Sequence, residues 1–338
     1  MRANRVIICI VFLFAAAFLP ICGCKTNVSQ TDAGGEISGN LEAQAMRIIQ
    51  QGLTDGNPQV RASAIEIAAA TKRGEFVPAI RRLLADEFVP VRFAAAVAIG
   101  DVRYTAARND VAQLLKDGDE NVRIAASYAI SRMDAVVSSK QLQAAIKSND
   151  QRVRANAAFL LGKTGDKGAL PLLYEALNDE ASDDRVRLNS VEAIAWLGDE
   201  RIYQKLWAML ISAYADDRVF GVEAMGALGT VQGRDAILTM LKDDLAEVRL
   251  VAAEQLGRLG DRAGESVVLA ALERDAAAAT DAEGRARIQT LAASAIGQIQ
   301  TSALKKFLPE LLKNDSRIVR LAAAKAVLQG SGRDNIGR

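Results

Sequence analysis

The sequence predicts an all-α solenoid of about nine two-helix repeats, and three observations predict it. First, an Arg, usually preceded by Val, opens an Ala-rich run at Arg61, Arg92, Arg123, Arg154, Arg187, Arg218, Arg249 and Arg320. Gln289 holds that place in one degenerate copy. The interval is constant except between Arg154 and Arg187, where it is slightly longer, and between Arg249 and Gln289, where it is longer still. A fixed period of this kind marks stacked supersecondary units. Second, each run carries an apolar stripe of helical period: from Val122, the residues Ala125, Ala126, Ala129, Ile130 and Met133 follow on one face. Third, the punctuation agrees. Pro58, Pro78, Pro90, Pro171 and Pro309 fall near predicted helix starts, where a missing N–H costs nothing. Gly165, Gly198, Gly229 and Gly260 fall at predicted helix ends, where Gly best adopts the left-handed cap.

Taken in order, the stretch 1–23 reads as an export signal. Arg2 and Arg5 precede an uncharged apolar core, Val6 to Pro20, and small residues lead into Cys24. The run Ile21-Cys22-Gly23-Cys24 resembles a bacterial lipoprotein box. The resemblance implies cleavage after Gly23, lipid on Cys24, and a membrane-anchored protein facing the periplasm of a bacterial cell envelope. Lys25 follows the Cys, which favours the outer over the inner membrane. An uncleaved anchor over residues 6–23 is the alternative, since that stretch is just long enough to span a bilayer. Residues 24–40 are polar and rich in Gly and Ser and are expected to form a flexible tether. The array is expected over 41–330 and a polar tail over 331–338.

All three cysteines lie at or before Cys24, so neither disulfides nor thiol catalysis are expected in the body. The formal net charge is +1, and loss of residues 1–23 removes two Arg and no acid, leaving −1. That balance argues against nucleic acid as a ligand. The chain has no histidine, so His-based metal sites and His general bases are excluded. Gly162-Lys-Thr-Gly165 lacks the spacing of a phosphate loop. No catalytic residue, cofactor or metal is expected.

Within the array, Gly100, Gly162, Gly226, Gly257 and Gly297 recur inside the Val-Arg helices, where a Gly costs about 1 kcal/mol against Ala. Their recurrence predicts close helix contact. The Arg lies in the first helical turn against the macrodipole, and an acid four to six residues upstream (Asp86, Asp119, Asp150, Asp183, Asp243, Asp315) is expected to cap the helix and pair with an Arg of the same or an adjacent unit. The period breaks twice, around 180–184 and around 275–287, the second and larger excess reading as a lengthened helix or loop.

Val122-Arg-Ile-Ala-Ala-Ser-Tyr-Ala-Ile130 and Val248-Arg-Leu-Val-Ala-Ala-Glu-Gln-Leu-Gly257 resemble the HEAT repeat, in the short form of phycobilisome lyases. The resemblance implies a right-handed α-α superhelix with the Val-Arg helices on its concave face. It implies little about function. HEAT-like hydroxylases bind iron through His-Glu pairs that this chain lacks, and HEAT-like DNA glycosylases need a basic face. An enzyme or enzyme accessory of the bilin-lyase-like class is the alternative to a scaffold that binds a protein or peptide. Five residues after each Arg, off the apolar stripe, lie Glu66, Val97, Tyr128, Phe159, Glu192, Glu223, Glu254, Ser294 and Lys325. Tyr128, Phe159, Glu192, Glu223 and Glu254 are the candidate partner-binding residues, as aromatic and acidic side chains of a concave groove. Trp196 is expected to pack between units and Trp207 in the core.

Overall fold

The computed structural model describes residues 33–133, 140–276, 279 and 281–334, and over these the chain is an all-α superhelical repeat with no strand. Nine units follow one another. They are α1 (Ala33–Leu53) with α2 (Pro58–Ala70), α3 (Val77–Arg82) with α4 (Val89–Asp101), α5 (Arg108–Leu114) with α6 (Glu120–Met133), and α7 (Lys140–Ala145) with α8 (Gln151–Thr164). Then come α9 (Leu170–Asn178) with α10 (Asp184–Trp196), α11 (Tyr203–Leu210) with α12 (Ala215–Leu228), and α13 (Val231–Met240) with α14 (Ala246–Arg258). The last two are α15 (Glu265–Ala270) with α16 (Ala282–Ile299), and α17 (Ser302–Lys305) and α18 (Leu308–Leu311) with α19 (Arg317–Asp334). The Val-Arg helices stack into an inner layer and their partners, shorter in every unit but the first, form an outer one. All five prolines of the array occupy the first turn of a helix.

The recurrent Arg works as a clamp. In six units its Nη1 donates to two carbonyls of the loop before its own helix, as in Arg61 to Asp55 (2.8 Å) and Gly56 (3.3 Å), or Arg249 to Asp243 (2.9 Å) and Asp244 (3.0 Å). In four units its other nitrogens reach an Asp in the following unit's loop: Arg61–Asp86 (2.9 Å), Arg92–Asp117 (2.8 Å), Arg154–Asp179 (2.8 Å) and Arg218–Asp243 (2.7 Å). That Asp in turn accepts from the backbone N–H two residues on, as Asp86 does from Phe88 (2.9 Å). Hydrogen bonds to charged groups contribute roughly 1.5–3 kcal/mol when removed one at a time. Here the pairs lie near the surface, so screening keeps their worth at the low end.

The two roles expected of the upstream acids are divided. Asp150 and Asp183 are side-chain caps of α8 and α10, whereas Asp86 and Asp243 receive the preceding unit's Arg. In the degenerate copy the same link survives without charge, as Asn314 Nδ2 donates to Gln289 Oε1 at 2.9 Å. The small excess around 180–184 is absorbed in the loop: Arg187 reaches back eight residues to the Asp179 carbonyl (3.1 Å) where the others reach back six.

The recurrent glycines sit where neighbouring inner helices touch. A β-carbon on Gly100 would lie 2.8 Å from Ala129 Cα, and one on Gly162 2.6 Å from Ala193 Cα. Small residues on this side let the inner helices approach more closely than the outer ones, so each unit is a wedge. Nine wedges close a ring, because the last inner helix, α19, packs on both α1 and α2. A β-carbon on Gly52 of α1 would stand 3.0 Å from Leu321 of α19, and Arg317 Nη1 lies 2.9 Å from Asp55 Oδ1. Asp55 holds the station that Asp86 and Asp117 hold in later units, but its partner Arg317 lies one turn before the clamp Arg320, so the seam uses the same acid with a neighbouring Arg.

Three boundaries and placements differ from expectation, and the 275–287 excess resolves one left open between helix and loop. Helix α1 begins at Ala33, inside the stretch expected as tether, because a helix nucleated by the buried Ala45, Ile49 and Leu53 extends backwards. Helix α19 runs to Asp334, through the start of the expected tail. The 275–287 excess lengthens α16 at its N-terminus, where Asp281 accepts from the Gly284 N–H, after a π-helical turn at Ala271–Asp275. Trp207 is 39% exposed, because the short helix α11 buries only Leu206 and Leu210. Trp196 packs between units as expected, edge-on to Phe159 at 5.5 Å.

Gly162→Ala sets a helix-propensity gain of about 1 kcal/mol against overpacking of backbone, which costs typically about 1–3 kcal/mol. The expected outcome is a lower urea midpoint by roughly 1 kcal/mol of stability. Gly118→Ala, with nothing within 4 Å of the added carbon, is the control and should not lower it.

Candidate functional site

Residues five and nine positions after the Arg lie one turn apart on the same side of each inner helix. In the ring that side faces the centre. Asp101 of α4 and Lys163 of α8 make an ion pair at 3.0 Å although α6 stands between their helices. Tyr128, from α6, donates its hydroxyl to the other Asp101 oxygen at 2.6 Å. Lys163 also lies 5.5 Å from the centroid of the Phe159 ring. Its charge is felt by Glu192 of the neighbouring α10, and by Glu66 of α2 although α4 and α6 stand between. Lys325 of α19 acts in the same way on Glu66 and Glu254. The ring therefore encloses a charged lumen.

The expected row occupies this lumen, but it is not an open groove. Tyr128 (1% exposed) and Phe159 (3%) are covered, so neither presents a surface to a macromolecule. The reason is closure: a concave face that curves through a full circle meets itself. Glu254 is buried (2%), whereas Glu192 and Glu223 keep partial exposure on the lumen. A second row, Asp101, Arg132, Lys163 and Arg258, joins the first and is not among the residues expected from the sequence. The signal for it is the four-residue step from the first row, which lands on a charge in an otherwise Ala-rich helix in four of the nine units. Cys24 lies outside the described residues. Among the described residues, no group of three or more His, Cys, Asp or Glu is placed to hold a metal ion.

Enclosure dominates the electrostatics. Burial raises the Glu66 carboxyl to about 8, against the pull of Lys163 and Lys325, and the Glu192 carboxyl to about 7, against Lys163 and Arg258. Glu223 is raised well above the usual range by burial and by the like charges of Glu192 and Glu254. Burial lowers Lys163 to about 8 and depresses Lys325 and Arg258. Partial exposure and strong burial coexist because these groups border a narrow space while protein surrounds them on every other side.

The folded chain holds protons on Glu66 and Glu192 that the unfolded chain releases above its ordinary 4.5. The stability this carries is full below about 4.5 and is lost as pH rises through about 7 and 8. Lys163 acts oppositely above about 8, where the unfolded chain keeps a proton up to 10.5 that the folded chain has released. Thermal melts from pH 5 to 10 should show the midpoint falling towards pH 8 and then levelling or rising, with a shallower fall in Glu192→Gln. A midpoint that climbs steadily from pH 5 to 8 contradicts the enclosed lumen.

Comparison with known proteins gives the following. The HEAT_2 family, described as HEAT repeats, matches residues 46–131, 83–154 and 138–220, more than half of the chain. No curated protein matches. Among solved structures, the complex of CpcE and CpcF of phycocyanin lyase from Nostoc sp. PCC7120 is similar, with a TM-score of 0.43 and 18% identity, over 82% of this chain and 100% of that one. Human deoxyhypusine hydroxylase in complex with glycerol gives a TM-score of 0.36 at 17% identity, over 88% and 99%. The Kap121p mutant D353K/E396K/D438K gives 0.33 at 14%, over 83% and 37%. The nine wedge-shaped helix pairs and the family match agree, and the chain belongs to the HEAT repeat family.

Proposed function

We propose that this protein is a scaffold of the bacterial cell envelope, held to a membrane through lipid on Cys24, which binds a protein or peptide partner on the edge of its ring. The signal-like segment and the Ile21–Cys24 box support the anchor. Among the described residues no helix is long and apolar enough to cross a membrane. A lipid on Cys24, set a few residues before α1, holds the ring near a bilayer without needing one.

One observation carries the partner site. In the sixth unit Trp207 (39% exposed), Ile211 (70%) and Tyr214 (71%) are large apolar side chains in solvent within eight residues of one another. Leu245 (41%) repeats the Tyr214 station in the seventh unit. Side chains of this type supply the buried anchors of interfaces. Asp216, Asp217 and Asp244 lie beside them in sequence, Asp244 with an 82% exposed side chain paired to Arg218 at 2.8 Å, and the exposed Asp216 gives the patch an acidic rim. A partner with apolar anchors and basic flanks fits this edge.

Photo-crosslinkers at Ile211 and Tyr214 in the full chain should capture a discrete envelope protein, and a crosslinker at Tyr128 should not. Capture from Tyr128 alone places the partner elsewhere and overturns the edge assignment. Incorporation of labelled fatty acid should be lost in Cys24→Ala; label retained in that variant overturns the anchor.

A further inference from the structure

We propose that the lumen is a binding site for a primary ammonium group, received between Glu192, Glu223 and Glu254. The three carboxylates come from the same station of α10, α12 and α14, on three successive wedges, and so line one arc of the lumen wall. This inference is independent of the edge and of the lipid.

The arc is short of counter-charge. Glu192 has Lys163 and Arg258 to answer it, and Glu254 has Lys325 and Arg258. Glu223 stands between two like charges and, among the described residues, is answered by Arg258, which is shared by all three acids. A second observation points the same way. Glu254 is 2% exposed, yet its Oε1 has no hydrogen-bond partner among the described residues. A buried carboxylate oxygen without a donor is costly, and such atoms are rare in folded proteins. A group that brings one positive charge and several N–H donors corrects both defects at once. Glu192 and Glu223 keep partial exposure, which leaves their carboxylates accessible to a ligand.

A primary ammonium fits better than a metal ion. Its charge is single, it can satisfy one or two carboxylates at a time and the others through water, and among the described residues no group of three or more His, Cys, Asp or Glu is placed to hold a metal. In the empty lumen a proton does part of this work, since Glu223 is pushed towards its neutral form. An entering ammonium restores the charged carboxylate, and the displaced proton passes to solvent. Binding is therefore coupled to proton release near neutral pH.

The ammonium belongs either to a free small amine or to a lysine tip, and calorimetry on the folded full-length body can separate them. The probes are n-butylammonium and N-acetyl-lysine methylamide, with tetramethylammonium as a cation that has no donors. The expected result is saturable binding of one of the first two near one per chain, and none of the third. Its heat should depend on the ionisation enthalpy of the buffer, which reports the released proton. Affinity should fall at least ten-fold in Glu223→Gln and in Glu254→Gln. Binding of the amino-acid derivative alone assigns the lysine source. No saturable binding of either primary amine overturns the proposal, as does equal binding of tetramethylammonium or unchanged affinity in both variants. If a variant does not fold, the buffer dependence of the unsubstituted protein decides: binding without proton release also overturns it.

Discussion

The Arg clamp is the contact from which the rest of the structure follows. In seven units the guanidinium holds its own loop by two carbonyls, and Arg61, Arg92 and Arg218 hold an Asp of the next unit as well. In Arg61, Arg92 and Arg218 one side chain thereby ties the loop conformation of its own unit to the position of the next. When the same rotation is repeated, curvature accumulates without correction. The glycines and alanines between inner helices set the inner side of the wedge, and the outer helices set its width. The seam uses a variation of the same link: Asp55 meets Arg317, one turn before the clamp Arg320, and α19 packs on α1 as well as α2.

Closure changes what the inner face is for. In an open solenoid a row of acidic and aromatic residues would be a binding groove. In a ring the same row becomes the wall of a narrow lumen, and burial governs its chemistry. Among the described residues nine charged side chains gather there: Glu66, Asp101, Arg132, Lys163, Glu192, Glu223, Glu254, Arg258 and Lys325. Opposite charges offset much of the desolvation, as between Asp101 and Lys163, but unevenly around the circle. The arc at Glu223 is where compensation is thinnest. The surface left to macromolecules is the outside and the edges.

Much of this is legible in the sequence. The repeat, the helix starts at proline, the left-handed Gly caps and the close-contact glycines all act within a unit or between consecutive units, so periodic residues reveal them. Gly165, Gly198, Gly229 and Gly260 do take positive φ, and Lys72, Arg103 and Gln300 take it at the same station without glycine. What stays hidden depends on the sum over units. Whether nine wedges close depends on small angles that no single residue encodes, and the burial of Tyr128 and Phe159 depends on closure. Trp207 departs from expectation for a local reason: a two-turn outer helix has only one buried side, and residue 207 is off it.

A distance across the seam tests closure of the ring directly. Thr54 and Ile318 are exposed and flank the Asp55–Arg317 pair. The chain beyond Cys24 has no cysteine, so Thr54→Cys with Ile318→Cys accepts spin labels cleanly once residues 1–24 are omitted. Pulsed electron resonance should give one short, narrow distance distribution. A long or broad distribution, as from the two free ends of an open superhelix, would contradict the ring and with it the enclosed lumen.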